Sequence, residues 1–301
     1  MNNIKSVFSI KDLENLSGIK AHTIRIWEKR YNILQPMRTE TNIRLYDAKN
    51  LQKLLNVVLL HNHGYKISKI SKYSDEEIPN IVRDIISEKS VNHHAITEFK
   101  MAMMNFDQTQ FLKTYNELLS ERPFHEIFEE IFIPLLDEIG LLWQSDTISP
   151  AHEHFISHLV RQKVILHTER AQLETKINNN KTYILYLPLN EIHEIGLLYI
   201  NYELIRHGCH TLYLGESIPI DNLKDVQKHF KKIIFISYWT VEPNRDSITE
   251  YIDSLEREIL DNNTTEFWVL GRMISNINTD KMPDKMKTFL SIRNLLHTIT
   301  D

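Results

Sequence analysis

"FSIKDLENLSGIKAHTIRIWEKRYN", residues 8–32, sets a short apolar helix, a Ser17-Gly18 turn and a second helix loaded with His22, Thr23, Arg25, Lys29 and Arg30. A rigid turn between two helices lets the second lie in a major groove, so the stretch reads as a helix-turn-helix. "ILQPMRTETNIRLYDAKNLQKL", residues 33–54, follows it. This is a Pro-bounded excursion flanked by Arg38 and Arg44, after which Asp47 is placed to cap a further helix. Such an excursion forms a two-stranded wing that carries cations to a phosphate backbone. Most charged residues on a helix are simply solvated, and Ile24, Trp27 and Leu45 read as core, so individual contacts depend on how the head docks.

Charge supports the same division. The 301 residues carry a net charge of −5, but residues 1–75 hold a net +7 and the remainder a net −12. A basic head on an acidic body implies that the head meets a polyanion and the body does not. With 42% hydrophobic and 25% charged residues the chain is globular and long enough for two or three domains. A single cysteine, Cys209, excludes an internal disulfide framework. No apolar run approaches the roughly 20 residues needed to cross a bilayer, and "MNNIKSVFSIKDLE" turns polar before a signal-peptide core forms, so a cytoplasmic protein without membrane partners is expected.

Beyond the head the periodicity changes twice. From about residue 76 to 175 apolar residues recur at spacings of three and four, as in "AITEFKMAMMNF" (95–106) and "FHEIFEEIFIPLLDEIGLLW" (124–143), which predicts packed helices. From 181 short strand-like runs alternate with helical stretches at 195–207 and 245–260: "TYILYLPL", "CHTLYLG", "KKIIFISYW" and "EFWVLG". That alternation predicts a parallel sheet covered by helices. The polar "QLETKINNNKT", 172–182, reads as the linker between the two.

Two stretches carry possible chemistry. "LPLNEIHEIG", 187–196, puts Glu191, His193 and Gly196 directly after the first predicted strand, outside the carboxyl end of a parallel sheet where such folds bind ligands. An acidic residue beside a histidine fixes its tautomer and strengthens the metal-facing nitrogen, although a lone loop histidine is more often structural. "WQSDTISPAHEHF", 143–155, ends one predicted helix at Trp143 and starts another at Ser149-Pro150, which sets Glu153 and His154 in its early turns, facing the same cavity as Trp143. Surface imidazoles on a solvated helix are the plain alternative. Zinc is a weaker one: His154 and His158 are four apart with Glu153 adjacent, but the HExxH spacing and nearby thiolates are missing.

Residues 6–75 resemble the winged-helix head of the MerR family, and "TIRIWEKRYNILQPMRTETNIRLYD" (23–47) looks like its branch that carries a cobalamin-binding sensor. The resemblance implies DNA contact by Thr23, Arg25 and Tyr31 at the groove and by Arg38, Arg44 and Tyr46 on the wing. Asn42 stands at the wing tip where the family usually has Gly, and Asn tolerates the left-handed backbone required there. Glu191, His193 and Gly196 are similar to the Asp/Glu-x-His-x-x-Gly signature of cobalamin-binding domains, which implies His193 as the lower ligand to cobalt, replacing the cofactor's own base. The Trp143, Glu153 and His154 spacing is similar to the helical lid of the same regulators, which implies Trp143 above the corrin and the other two close by.

The third strand and the fourth depart from the family. Ser-x-Leu and Gly-Gly usually stand there and leave room for the cofactor's nucleotide tail; this chain has Ser237, Tyr238, Trp239 and then Gly271, Arg272. Ser237 and Gly271 match, whereas Trp239 and Arg272 are bulkier. If these side chains point inward they fill the tail slot, because packed interiors do not absorb an indole without repacking; the alternative for Arg272 is to pair with a phosphate of the tail. Gly196, Gly215 and Gly271 at strand-loop junctions favour a retained pocket.

The expected protein is thus multidomain, α and α/β. It has a winged helix-turn-helix head (1–75), a helical-bundle lid (76–175) and a Rossmann-like doubly wound parallel sheet (181–301). The resemblance implies a transcriptional repressor, not an enzyme. It would act on a double-stranded DNA operator as a homo-oligomer, dimer or tetramer, with adenosylcobalamin or methylcobalamin controlling assembly and light acting through the cobalt-carbon bond. A cofactor-independent regulator with a degenerate sensor is the alternative, and the helix-turn-helix argues against a methyl-transfer subunit.

Overall fold

The computed structural model describes residues 7–62, 64–84, 88–177, 181–261, 264–279 and 282–300. Contacts divide the chain into two compact units, Met1–Leu159 and Val160–Asp301.

The first unit begins with β1 (Val7–Phe8), α1 (Ile10–Ser17), α2 (Ala21–Tyr31), β2 (Met37–Arg38), β3 (Arg44–Asp47) and α3 (Ala48–Asn62). A capping box opens α1: Ser9 Oγ accepts from the Asp12 amide at 3.2 Å while Asp12 Oδ2 accepts from the Ser9 amide at 2.8 Å. Gly18 ends it in a left-handed conformation, φ 75°, which turns the chain into α2. Antiparallel pairing of β2 with β3 makes the wing, and β1 pairs with the other edge of β3, so the small sheet runs β1-β3-β2. Asn42 adopts φ 63° at the wing tip, as expected of the residue standing in for Gly. Asp47 caps α3 through the Asn50 amide at 2.8 Å.

Helices α4 (Ile67–Ile70), α5 (Glu77–Asp84), α6 (Glu88–Asn105), α7 (Gln108–Glu121), α8 (Phe124–Ile127) and α9 (Ile133–Gln144) follow. Between α8 and α9 residues Phe128–Phe132 form a π turn. Pro134 has no N–H to give to the turn below it, which is where a helix accommodates an extra residue. Phe99, Phe111, Tyr115, Phe128 and Phe132 fill the interior of this bundle. Lys100 is buried beneath the head; its Nζ donates to the Leu16 carbonyl near the end of α1 at 3.2 Å and meets Glu138 at 2.7 Å. Asn15 of the head donates to Thr147 Oγ1 at 2.7 Å, so head and bundle are joined by polar contacts as well as apolar ones.

Helix α10 (Pro150–Glu174) passes from the first unit into the second. The second unit comprises β4 (Thr182–Pro188), α11 (Ile195–Arg206), β5 (His210–Ile218), α12 (Ile220–Gln227), β6 (Ile233–Tyr238), α13 (Ile248–Glu258), β7 (Thr265–Leu270), β8 (Met286–Thr288) and α14 (Ile292–Thr300). Of the expected linker, 172–174 are the end of α10 and 182 opens β4, while 178–180 lie outside the described residues.

All five strands are parallel, in the order β5-β4-β6-β7-β8. Leu223, Ile248, Ile252 and Leu255 from α12 and α13 pack on one face against Ile184, Tyr186, Phe235 and Phe267, and α11 covers the other. With both faces covered, all seven residues of β4 are buried. The chain leaves β4 toward β5 on one side and returns to β6 on the other, so strand order reverses between β4 and β6. In doubly wound sheets a crevice opens there, outside the carboxyl ends of the strands.

Candidate functional site

The loops after β4 and β6 meet at that crevice. Glu191, on the first, is wholly buried. Its Oε1 accepts from the Ile192 amide at 2.9 Å, the His193 amide at 3.0 Å and the His193 ring at Nδ1, 2.5 Å away. Its Oε2 accepts from the amides of Thr240, Val241 and Glu242 at 3.1, 2.6 and 2.9 Å. Burial pushes this carboxyl up, but the bonds from the His193 ring and the Val241, Glu242 and His193 amides outweigh it and hold it down at about 2. A carboxylate that takes the proton side of Nδ1 leaves the lone pair of His193 on Nε2, the tautomer that ligates a metal. Its imidazole is half exposed, and Leu189, Ile192 and Val241 stand exposed on the same two loops. An oriented imidazole inside an apolar collar fits the donor set and the underside of a corrin ring carrying cobalt.

Of the two positions with bulkier residues than the family has, the one after the third strand of the sheet is filled. Trp239 is wholly buried; its indole donates to Ser237 Oγ at 3.0 Å and packs against Tyr251 and Phe267, ring centroids 5.5 and 6.0 Å away. Tyr186 and Tyr251, hydroxyls 2.9 Å apart, close the space beside it. A Cβ on Gly196 would stand 2.9 Å from the Tyr238 ring, and one on Gly271 would stand 2.7 Å from the Trp239 nitrogen. The glycines therefore admit this chain's own residues, contrary to the expectation that they keep a pocket open. Gly215 lies inside β5 at a shift of register rather than at a junction. Arg272 is exposed at the start of a 3-10 turn and does not point inward.

Trp143, Glu153 and His154 belong to the first unit. Trp143 is half exposed on the last turn of α9, as its place at a helix end predicts. Glu153 accepts from Ser157 Oγ at 2.9 Å, and His154 is exposed, its Nδ1 3.7 Å from Glu153. His152 turns the other way, buried against Phe106 with Nδ1 at the Ser149 hydroxyl, 2.8 Å, where it helps start α10. Among the described residues, no three His, Cys, Asp or Glu groups are set together to hold a metal ion.

In the head, Arg25 is exposed on α2 and Arg38 on the wing, where its guanidinium donates to Asn42 Oδ1 at 2.6 Å. Thr23 and Tyr31 are partly exposed on α2, with Arg30 beside the Tyr31 ring. Arg44 and Tyr46 differ from expectation. Tyr46 is wholly buried and gives its hydroxyl to Glu28 at 2.9 Å; Arg44 Nε meets the same carboxylate at 2.9 Å. The wing is short, and alternate β3 side chains must face α2, so these two brace the wing on the helix instead of reaching outward.

Sequence reasoning missed a second network. Glu194 accepts from Tyr213 at 2.8 Å and pairs with Arg161, which fastens the second half of α10 to the sheet beside the His193 loop. Burial, then the bond to Glu194, pushes the Tyr213 phenol up. Its only signal was a second carboxylate in "EIHEIG".

A winged-helix head, a helical bundle and a doubly wound sheet with a carboxylate-held histidine at its switch point together define a modular chain: one end for DNA, the other for a ligand. Residues 8–77 match the MerR HTH family regulatory protein, and 95–166 match the B12 binding domain. The HTH-type transcriptional repressor CarH of Myxococcus xanthus is 25% identical over 260 residues, 83% of this chain and 86% of the relative. CarA of the same organism is 23% identical over 212 residues, 70% of this chain and 68% of the relative. The fold of the monomethylamine corrinoid protein of Methanosarcina barkeri superposes with a TM-score of 0.57 at 14% identity, covering 69% of this chain and 98% of that one. The chain combines a MerR HTH domain with a B12 binding domain and is homologous to CarH and CarA. Among the described residues no helix is long and apolar enough to cross a membrane.

Proposed function

We propose that this protein is a DNA-binding transcriptional repressor whose hold on its operator is governed by a corrinoid of the cobalamin type. The observation that carries the reading is the Glu191-His193 latch at the β4/β6 switch point, in a chain headed by a winged helix. A bound corrinoid would supply a cobalt centre that takes a nitrogen ligand. His193 would hold it through Nε2, Glu191 keeps the imidazole in the tautomer that can do so, and Leu189, Ile192 and Val241 would shield that contact from water. Trp143, Glu153 and His154 are further candidates for holding the corrinoid.

Arg25, Arg38 and their basic surroundings hold double-stranded DNA. A homo-oligomer, dimer or tetramer, lets several heads grip adjacent sites, and a ligand that changes assembly then changes occupancy through effective concentration. No catalytic role is assigned, and the protein works beside its operator in the cytoplasm. To test the reading, purified protein is mixed in the dark with adenosylcobalamin or adenosylcobinamide, separated from free corrinoid and scanned in the visible, before and after illumination. Retained corrin absorption that changes with His193→Ala supports it. A colourless protein with both corrinoids overturns it and favours a second reading, a regulator that works without a corrinoid, which draws its support from the buried Trp239.

A further inference from the structure

We infer that the sheet unit is built for a corrin ring whose nucleotide tail is not inserted beneath it, so that a tail-free corrinoid binds more tightly than cobalamin. This rests on the corrinoid reading above and concerns the same site.

Three observations converge on Trp239 and its neighbour. The indole is wholly buried and takes the Ser237 hydroxyl, a polar group at a place expected to face the tail. The Tyr238 ring lies against Gly196, in the space the missing Cβ leaves. The backbone of Trp239 is pinned on both sides, its amide to the Leu270 carbonyl at 2.8 Å and its carbonyl to the Met273 amide at 3.0 Å. The loop therefore cannot withdraw to make room without breaking both of these bonds. Tyr251 and Phe267 pack against the indole, and Tyr186 belongs to the same buried cluster, so another rotamer would have to enter occupied volume.

Above this filled interior the chemistry is intact. His193 remains half exposed at the surface of the unit, latched by Glu191. Cobalamin brings its own lower base, which must be displaced and housed before an imidazole can take its place. A corrinoid without that nucleotide imposes neither requirement. The Trp239 and Tyr238 side chains thus act as a specificity filter on the lower half of the ligand, while His193 sets ligation.

The test is a dark titration of the full chain with adenosylcobinamide and adenosylcobalamin, followed by visible absorption. The expected result is at least ten-fold tighter binding of adenosylcobinamide, with a spectral change that His193→Ala removes. Trp239→Leu should narrow the preference by ten-fold or more by raising affinity for adenosylcobalamin. Should that variant fail to fold, Tyr238→Ala, at a half-buried position, should narrow it in the same direction. Equal affinity, or tighter binding of adenosylcobalamin by the unmodified chain, overturns this inference and leaves the corrinoid reading standing. Binding of neither overturns the reading and the inference together.

Discussion

Replacing Glu191 by Gln keeps the side-chain shape and removes only the charge and half of the acceptor capacity. Five backbone amides and one imidazole donate to the two carboxylate oxygens of Glu191. In the variant the amide oxygen can serve one of the two groups of donors, while its NH2 faces the other. Each buried donor left without an acceptor costs about 1–3 kcal/mol. Val241 is exposed, so water can reach part of the β6 loop and relieve some of its donors. Counting roughly two stranded donors gives a loss of about 2–6 kcal/mol, a large part of the roughly 5–15 kcal/mol that holds a domain folded. Urea unfolding followed by Trp fluorescence reports on both units, Trp239 and Trp268 in the sheet unit and Trp27 and Trp143 in the first, and Trp27→Phe with Trp143→Phe as the common background restricts the signal to the sheet unit. Glu191→Asp, which keeps the charge but shortens the reach, should fall between the two. A Glu191→Gln midpoint equivalent to less than about 0.5 kcal/mol from the unmodified protein would refute the claim that this carboxylate ties the two loops together.

Arg25→Ala should weaken operator binding by roughly 1–3 kcal/mol and relax preference for the operator over unrelated DNA, whereas Arg38→Ala should weaken both alike and lower the salt slope by about 0.9, measured by fluorescence anisotropy at several salt concentrations. Glu28→Gln loosens both Arg44 and Tyr46; a loss of about 1–2 kcal/mol in head stability, followed by circular dichroism, is expected together with weaker DNA binding. His167 is held down at about 4 by burial and then by Arg170 and Lys163. Because its folded value lies below the ordinary 6.5, the unfolded chain binds the extra proton: stability is full above pH 6.5 and falls as the pH drops toward 4. With its half-exposed ring discounted for solvent screening, that loss is about 1 kcal/mol at pH 5, and His167→Gln should remove it from the urea midpoints.

The head was legible in the sequence because its signals are local. Ser17-Gly18, Asn42 and Asp47 each impose a backbone state on the residues beside them, and the structure contains all three. Four strands were equally plain as apolar runs. The edge strand β8, three residues long, was not, since too few residues alternate to show a period. Orientation was the weaker part. Whether Arg44 and Tyr46 reach outward or fold onto Glu28 depends on a residue sixteen or more positions earlier, and no spacing rule reports that. Trp239 is similar: its bulk raised the question, but the answer came from Tyr251 and Phe267, which only the fold brings to it. The helix α10 looked like one element of a bundle, yet Arg161 ties its second half to the sheet.

The most direct measurement is the affinity of the full chain for DNA from its own promoter region in the dark, with and without saturating corrinoid, for the unmodified protein and for His193→Ala. The account predicts at least a ten-fold change on adding corrinoid, and no change in the His193→Ala protein, which should still bind DNA through its intact head. Identical affinities with and without corrinoid in the unmodified protein would contradict it.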